Sequence, residues 1–236
     1  MVAEGRRLVE DALAAGASIA ALLVADDVAA GPAATLLQEA ERRAIRSEVT
    51  PRRDFNALAD TETPSGVLAV IEWQPLSLAA VRPPDVGRRR ALVIDGVQDP
   101  GNVGTMIRSA FALGAWLTVA LDGTADVRGP KAVRGSMGAL FRHQVATATF
   151  EEWQAYAAQE RVAVWVAAAE GEPLDALPPQ PGSVALVVGN EGQGVRPAWQ
   201  GTPHRTLTIP MRAGAESLNA AVAAGILLYE LARAGR

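Results

Sequence analysis

The class of fold is decided by residues 91–104, which read ALVIDGVQDPGNVG. The apolar residues that open this stretch do not alternate with polar ones, so they predict a strand covered on both faces. The glycines and the proline that follow predict a tight turn, and helical spacing of apolar residues then predicts a helix from Val103 to Leu113, ended by Gly114. A buried strand followed at once by a helix is the repeating unit of an α/β fold with a largely parallel sheet.

The same pattern continues toward the C-terminus. Continuous apolar runs occur at 117–121, 162–168, 184–188 and 206–209. Between them the sequence predicts a helix opened by Pro130 and a helix over 151–159, where Thr149 and Glu152 have the spacing of a capping box. The last helix, from about Ser217 to Arg233, is apolar nearly all round, so we expect it to be buried on several sides. A partner subunit is one source of that cover.

The first 73 residues predict a smaller α/β unit. Helical periodicity extends from Ala3 to Ala15, and the segment after it predicts strands at 19–24 and 66–71 and helices at 35–44 and 55–59. Residues 74–90 hold three prolines, a glycine and a triple arginine without a sustained period, which is typical of a linker. The predicted organisation is a domain over 1–73, a linker over 74–90 and a domain over 91–236.

Composition excludes several classes of protein. The chain has no cysteine, so a disulfide scaffold, a Cys-ligated zinc site and a thiol nucleophile are all ruled out. The N-terminus mixes charges with helical periodicity, unlike a signal peptide, and the longest apolar run, 220–229, is shorter than the ~20 residues that cross a bilayer. His143 and His204 have no visible ligand cluster around them, so both are expected to be structural or surface residues. We therefore expect a cytoplasmic protein without a metal or a membrane segment.

Charge alone gives a mixed indication about nucleic acids. The net charge of −4 argues mildly against such a partner, because phosphate binding is driven by cationic surface. However, the segment between Val127 and Phe150 contains no acid and carries Arg128, Lys131, Arg134 and Arg142. An ordinary solvated face would have the same composition, so this basic stretch is a candidate and not an assignment.

The first candidate site is the turn and helix start after the strand at 91–94. The N-terminus of such a helix offers free amides and a partial positive charge to an anion. Gly104 and Arg108 lie one turn apart, so Arg108 would project beside any group that approaches the backbone at Gly104. The alternative is structural: Asn102 caps the helix, the glycines permit the turn and Arg108 is solvated.

Two further loops follow predicted strands. The first, 189–194, reads GNEGQG, and its glycines would let the main chain approach a flat ligand while Glu191 adds a charged acceptor. The second, 209–219, reads IPMRAGAESLN and joins the last strand to the last helix. Ser217 is its N-cap candidate. Asn219 enters an otherwise apolar helix, so its amide requires a hydrogen-bonding partner from a ligand or a neighbouring loop.

Together these three loops resemble a known family. They resemble the three ordered motifs of the SpoU/TrmH branch of the SPOUT methyltransferases. The matching stretches are Asn102-x-Gly104-x-x-x-Arg108, the loop 189–194, and the loop 209–219 with Ser217-Leu218-Asn219. This likeness covers residues 91–236. Residues 3–71 resemble, more loosely, the ribosomal-protein-like RNA-binding domain that precedes the catalytic domain in many members, with its usual first strand expected before Met1.

The resemblance implies a fold, an activity and a set of site residues. It implies a deep trefoil knot, a homodimer, and transfer of a methyl group from S-adenosylmethionine to a ribose 2′-hydroxyl of RNA without a metal. Arg108 would hold the adjacent phosphate or assist deprotonation, Asn102 would orient Arg108 or the ribose, and Glu191 would help to hold that arrangement. The cofactor would be lined by Gly189, Ile209, Met211, Ser217, Leu218 and Asn219. RNA would be bound by the N-terminal domain and by Arg128, Lys131, Arg134 and Arg142.

Several alternatives remain at this stage. The two-domain organisation favours ribosomal RNA over transfer RNA, by analogy alone. A non-catalytic RNA-binding relative would share the fold, although the motif residues are intact. A dinucleotide-dependent oxidoreductase is a remote alternative, since Asp122 follows the next strand as a ribose-binding acid would, but the Gly-x-Gly-x-x-Gly signature is missing.

Overall fold

A computed structural model describes residues 1–84, 89–174, 182–212, 214–215 and 217–234. The strands form two separate sheets, one of four strands and one of six. The N-terminal elements are β1 (Val2–Glu4), α1 (Arg6–Ala14), β2 (Ser18–Ala25), α2 (Asp26–Ala29), α3 (Ala34–Arg42), β3 (Ser47–Thr50), α4 (Arg52–Leu58) and β4 (Val67–Glu72). The C-terminal elements are β5 (Arg89–Asp95), α5 (Pro100–Ala112), β6 (Leu117–Leu121), α6 (Pro130–Ser136), β7 (Gln144–Ala148), α7 (Phe150–Gln159), β8 (Ala163–Pro173), β9 (Ser183–Gly189), β10 (Arg205–Thr208) and α8 (Ala220–Ala234).

The small sheet has the strand order β1-β4-β2-β3. Its first strand is β1, which pairs antiparallel with β4 through Val2 and Val70. The expectation that this strand would lie before Met1 was therefore wrong, and the first helix begins at Arg6 and not at Ala3. The strand is stabilised by Glu4, a buried carboxylate that accepts hydrogen bonds from the Asp60 backbone amide and the Thr61 hydroxyl.

The large sheet has the order β10-β8-β9-β5-β6-β7, and its paired strands are all parallel. The prediction of a largely parallel sheet is confirmed. Both faces are covered: Leu92 and Ile94 of β5 join a core with α5 and α8, whereas Val93 faces the other way onto Trp153 and Trp199. Burial on both sides explains why the strands read as continuous apolar runs.

Two helix starts test the predicted caps. At α7 the capping box is present, with Thr149 accepting from the Glu152 amide and the Glu152 carboxylate accepting from the Thr149 amide. At α8 the prediction of a Ser217 cap was wrong, because the helix begins at Ala220. None of the helices in the described residues is long and apolar enough to cross a membrane.

The predicted linker lies partly within these ranges. Leu76 forms a bridge to Ala146 of β7, Leu78 and Val81 are buried, and residues 89–90 already belong to β5. Residues 85–88 lie outside the described part of the chain. The boundaries 1–73, 74–90 and 91–236 stay a prediction.

Candidate active site

The three candidate loops meet at one edge of the large sheet. They follow the carboxyl ends of β5, β9 and β10, and parallel strands bring such ends to the same side, where ligands of α/β proteins bind. β5 and β9 are neighbours, with Asp95 opposite Gly189 in the register. The topology therefore places residues from distant parts of the sequence within hydrogen-bonding distance.

Asn102 is the residue that joins the loops. Its Nδ2 atom donates to Glu191 Oε1 at 2.5 Å, and its Oδ1 atom accepts from Asn219 Nδ2 at 3.1 Å. It does not cap the helix. That position belongs to Asp99, which accepts from the Asn102 backbone amide at 2.8 Å, with Pro100 behind it at the first helical position.

Asn219 combines two functions. Its Oδ1 atom accepts from the backbone amides of Ala221 at 3.0 Å and Val222 at 3.2 Å, so it caps α8 in place of Ser217. Its Nδ2 atom bonds Asn102. The partner that its amide required is thus a neighbouring loop.

The glycines of the second loop serve loop closure. The backbones of Asn190 and Gly194 exchange hydrogen bonds of 2.9 and 2.8 Å, and a Cβ atom at Gly189 would lie 2.3 Å from the Gly194 carbonyl carbon. Gly194 has φ +70°, which favours glycine. The Asn190 side chain accepts from the amides of Gly192 and Gln193, so the loop is held by its own residues.

A cavity of about 410 Å³ lies between the second and third loops. Its size is within the range of small-molecule sites. Five of the six predicted cofactor residues line it, together with Glu191; they are Gly189, Ile209, Met211, Ser217 and Leu218, whereas Asn219 lies beside it. Apolar side chains and loop backbone make up most of the wall, which fits the flat, partly apolar body and polar rim of an adenosyl group.

One wall was not predicted. Ala167, Ala168 and Ala169 of β8 also line the cavity. β8 lies between β9 and β10, the strands that carry the second and third loops, and the three alanines follow directly after the last β8 residue paired with β9. The signal in the sequence was the change from bulky residues at 164–166 to three alanines, which leaves room beside the strand.

Arg108 is exposed on α5 and makes no hydrogen bond or ion pair with the residues that the structure describes. Gly104, one turn away, is buried against α6: a Cβ atom there would lie 2.2 Å from the Ala132 carbonyl oxygen. The group that approaches the Gly104 backbone is therefore the helix α6, and the role of Arg108 stays a prediction. Asn102 uses its amide on Glu191 and Asn219, so the predicted orientation of Arg108 by Asn102 is not among the described contacts.

The predicted RNA-binding side chains are each paired with a carboxylate. Two of these pairs connect the large domain to the N-terminal one. The pairs are Arg128–Asp126 at 3.1 Å, Lys131–Asp99 at 2.6 Å, Arg134–Asp60 at 2.7 Å and Arg142–Asp11 at 3.4 Å. The hydrogen bond from Lys131, supported by the Asn102 amide, lowers the pKa of Asp99. A stretch without acids in the sequence is thus paired with the adjacent Asp126 and with three acids that the fold brings near, Asp99, Asp60 and Asp11.

The histidines and Asp122 have structural surroundings. His143 Nε2 lies 2.9 Å from the hydroxyl of the buried Thr118, and burial lowers the pKa of His143 to about 4. His204 bonds the Thr202 carbonyl. Over the described ranges no three His, Asp or Glu side chains group as metal ligands would. Asp122 accepts from Arg196 and from the Phe150 amide, so its carboxylate is already engaged.

Known proteins are similar to this chain in sequence and in fold. The model of the SpoU rRNA Methylase family matches residues 89–229, and the model described as RNA 2′-O ribose methyltransferase substrate binding matches residues 2–75. The 23S rRNA (guanosine(2553)-2′-O)-methyltransferase RlmP of Bacillus subtilis is 37% identical over 97% of this chain and 86% of that protein. The 23S rRNA (uridine(2479)-2′-O)-methyltransferase of Streptomyces viridochromogenes is 33% identical over 86% of this chain and 76% of that protein.

A solved structure matches almost the whole chain. The SpoU methyltransferase AviRb from Streptomyces viridochromogenes, in complex with the cofactor AdoMet, superposes with a TM-score of 0.86 and 28% identity over 99% of this chain and 89% of that one. The class that the motifs predicted, an S-adenosylmethionine-dependent RNA ribose 2′-O-methyltransferase, is confirmed. The chain belongs to the SpoU rRNA methylase family. The oxidoreductase alternative is thereby excluded.

Proposed function

We propose that this protein methylates a ribose 2′-hydroxyl of 23S ribosomal RNA. The observation that carries the proposal is the meeting of three loops on Asn102 beside the cavity of about 410 Å³. The choice of 23S RNA is supported by the substrates named for the two curated relatives, both of which match the N-terminal domain as well as the catalytic one. A ribosomal-RNA substrate also makes the cytoplasm the expected location.

The residues divide the work between cofactor and RNA. When bound, S-adenosylmethionine supplies an electrophilic methyl group on a sulfonium centre. Gly189, Ile209, Met211, Ser217 and Leu218 would hold it in the cavity that they line. Asn219 and Asn102 would keep the third and first loops together, and Glu191 would fix the second loop against them.

Arg108 is the side chain that we assign to the RNA. It is exposed and has no carboxylate partner in the part of the chain that is described, so its donors are available to a phosphate beside the target ribose. A guanidinium keeps its proton, which favours positioning of the phosphate over removal of the hydroxyl proton. In-line placement of the 2′-hydroxyl is itself a large contribution to the rate.

RNA phosphates would replace the carboxylate partners of four basic side chains, which are Arg128, Lys131, Arg134 and Arg142. Their ion pairs are mostly exposed, and exposed pairs contribute little to stability. We expect Arg142→Gln to weaken binding of a 23S RNA fragment. Because one phosphate contact is lost, the slope of log K for RNA binding against log salt concentration should become shallower by about 1. An unchanged slope would remove Arg142 from the interface.

A homodimer is part of the proposal. Along α8, Val222, Ile226 and Tyr229 are exposed at 51%, 36% and 55% on one side of a helix whose other side is buried. A second copy would cover this apolar face, as expected from the sequence of that helix.

The test is methyl transfer from labelled S-adenosylmethionine to unmodified 23S, 16S and transfer RNA, followed by digestion to nucleosides. We expect a 2′-O-methyl nucleoside from 23S RNA alone. If only transfer RNA gives this product, the substrate is transfer RNA and not 23S RNA. Cofactor binding without transfer to any RNA would favour a non-catalytic relative, and loss of both would overturn the proposal.

A further inference from the structure

A buried carboxylate lies outside the proposed chemistry. Asp95, the last residue of β5, is 2% exposed. Its Oδ2 atom accepts from the Arg196 backbone amide at 2.8 Å and from Trp199 Nε1 at 2.8 Å, and its Oδ1 atom accepts from Arg196 Nε at 2.7 Å. A buried carboxylate that accepts this many hydrogen bonds holds its donors in fixed positions.

Those donors lie at the end of the second loop. The loop leaves β9 at Gly189, which stands opposite Asp95 in the sheet, and Asn190 Nδ2 bonds the Gly96 carbonyl at 3.3 Å. It returns at Arg196, whose backbone and side chain both bond Asp95. Both ends of the loop are therefore attached to residues 95–96, and the segment between them contains Glu191.

The rest of the Arg196 guanidinium is also engaged. Its Nη1 atom donates to Asp122 Oδ1 at 2.9 Å and its Nη2 atom to the Asp122 carbonyl at 2.7 Å. The group lies over the Phe150 ring, 5.3 Å from the centroid, and Phe150 packs edge-on against Trp199. Although burial opposes the charge, the hydrogen bonds to Asp95 and Asp122 raise the pKa of Arg196.

We propose that Arg196 is a positioning residue, which through Asp95 holds the second loop so that Glu191 meets Asn102 and the loop forms its wall of the cofactor cavity. The hydrogen bonds within the loop set its internal shape, whereas its contacts with residues 95–96 set where it lies on the sheet. This inference rests on the proposed function, because it assigns a role to Glu191 and the cavity. It adds a residue that is in neither the cavity nor the three motifs.

If Arg196 only stabilises the fold, its loss should lower Tm without a specific effect on the cofactor cavity. A matched control is therefore a variant that loses a similar arginine far from the second loop. Arg89 lies at the opposite end of β5 and is similarly buried. It donates a hydrogen bond to Ser183 at 2.8 Å, forms an ion pair with Glu160 at 3.6 Å and lies 5.9 Å from the centroid of the Trp116 ring. Arg196→Met and Arg89→Met each remove a largely buried guanidinium: Arg196 bonds the last residue of β5, and Arg89 is the first residue of β5. Only Arg196 lies beside the loop.

The experiment measures the Kd for S-adenosylmethionine by calorimetry and kcat with 23S RNA at saturating cofactor. Both are measured at a temperature where circular dichroism shows each variant folded. Tm is taken from thermal unfolding of each variant. We expect Arg196→Met to weaken cofactor binding and to lower kcat by about 10- to 100-fold. Arg196→Lys, which keeps the charge without the planar fork, should recover part of the loss. Arg89→Met should lower Tm without changing Kd or kcat.

A double variant tests the route through Glu191. If Arg196 acts by placing Glu191, Arg196→Met combined with Glu191→Gln should lose little more kcat than the worse single variant. Multiplicative losses, or a folded Arg196→Met protein with wild-type Kd and kcat, would overturn the inference. A wild-type protein that binds cofactor but methylates no RNA would count against the proposed function, and the Kd of Arg196→Met would still test the anchor.

Discussion

The Asn219 side chain donates to Asn102 Oδ1 at 3.1 Å, across 117 positions of sequence. The same Asn219 side chain caps α8 through its oxygen atom. One residue thus fixes both the start of the last helix and the contact between the first and third loops. These two functions use different atoms, which makes them separable by substitution.

Asn219→Asp should separate the cap from the loop contact. Aspartate caps helices as well as asparagine, so the free energy of unfolding should stay within about 0.5 kcal/mol of wild type, whereas Asn219→Ala should lose about 1 kcal/mol. Aspartate cannot donate to Asn102, so methyl transfer should fall in both variants. Urea unfolding and a transfer assay measure the two effects, and an Asn219→Asp protein with full activity would contradict the bridging role.

Arg108→Ala should abolish most methyl transfer while cofactor binding survives. The side chain is exposed and has no described partner, so its loss should not disturb the fold or the cavity. Loss of one phosphate contact should also reduce the salt slope of RNA binding by about 1. Transfer kinetics, cofactor calorimetry and RNA binding at several salt concentrations provide the readouts. If Arg108→Ala keeps full activity, the assignment of this residue fails.

Gly104→Ala should destabilise the protein through helix packing. Its Cβ atom would lie 2.2 Å from the Ala132 carbonyl oxygen, so α5 and α6 would have to separate, at a cost of about 1–3 kcal/mol. Gly201→Ala is the matched control, because nothing lies within 4 Å of the Cβ atom built there. Urea unfolding should distinguish the two. Equal stabilities would mean that α6 can move without cost.

The sequence predicted the parallel sheet and the three loops because both depend on local patterns: continuous apolar runs and turn residues at strand ends. It missed β3 and β7, which are edge strands with polar residues such as Glu48 and Thr147 and therefore lack a continuous apolar run. It could not say which group approaches the Gly104 backbone, because the approach of α6 depends on tertiary packing. The trefoil knot stays a prediction, since it depends on how the chain threads and not on periodicity.

The long-range pairs could not be read from the sequence for the same reason. The acids that pair with Arg134 and Arg142 are Asp60 and Asp11, both in the N-terminal domain. Arg196 had no motif to mark it, although it follows the second loop closely, and its partner Asp95 is remote in sequence. Asn102, Glu191 and Asn219 lie within the motifs and so could be predicted, whereas Arg196 and Asp95 are paired only by the fold.

His143 should make stability depend on pH. Burial lowers its folded pKa from 6.5 to about 4, so the unfolded chain binds more protons between these values and stability falls as pH decreases through that window. Between pH 7 and pH 5 the expected loss is about 2 kcal/mol. His143→Gln should lack this component, so the difference in unfolding free energy between the two proteins should itself change with pH. A difference that is constant from pH 7 to pH 5 would show that His143 titrates normally.

Val222→Glu should convert the proposed homodimer to a monomer. Val222 is 51% exposed on the apolar side of α8, and a charge there would be desolvated by a second copy, which costs several kcal/mol. Val49→Glu is the matched control, since Val49 is 49% exposed but lies on β3 in the N-terminal domain, away from that helix. Light scattering after size exclusion should give a dimer for the wild type and for Val49→Glu, and a monomer for Val222→Glu. If the wild type is a monomer, or if Val222→Glu remains a dimer, the exposed side of α8 does not bind a second copy of the chain.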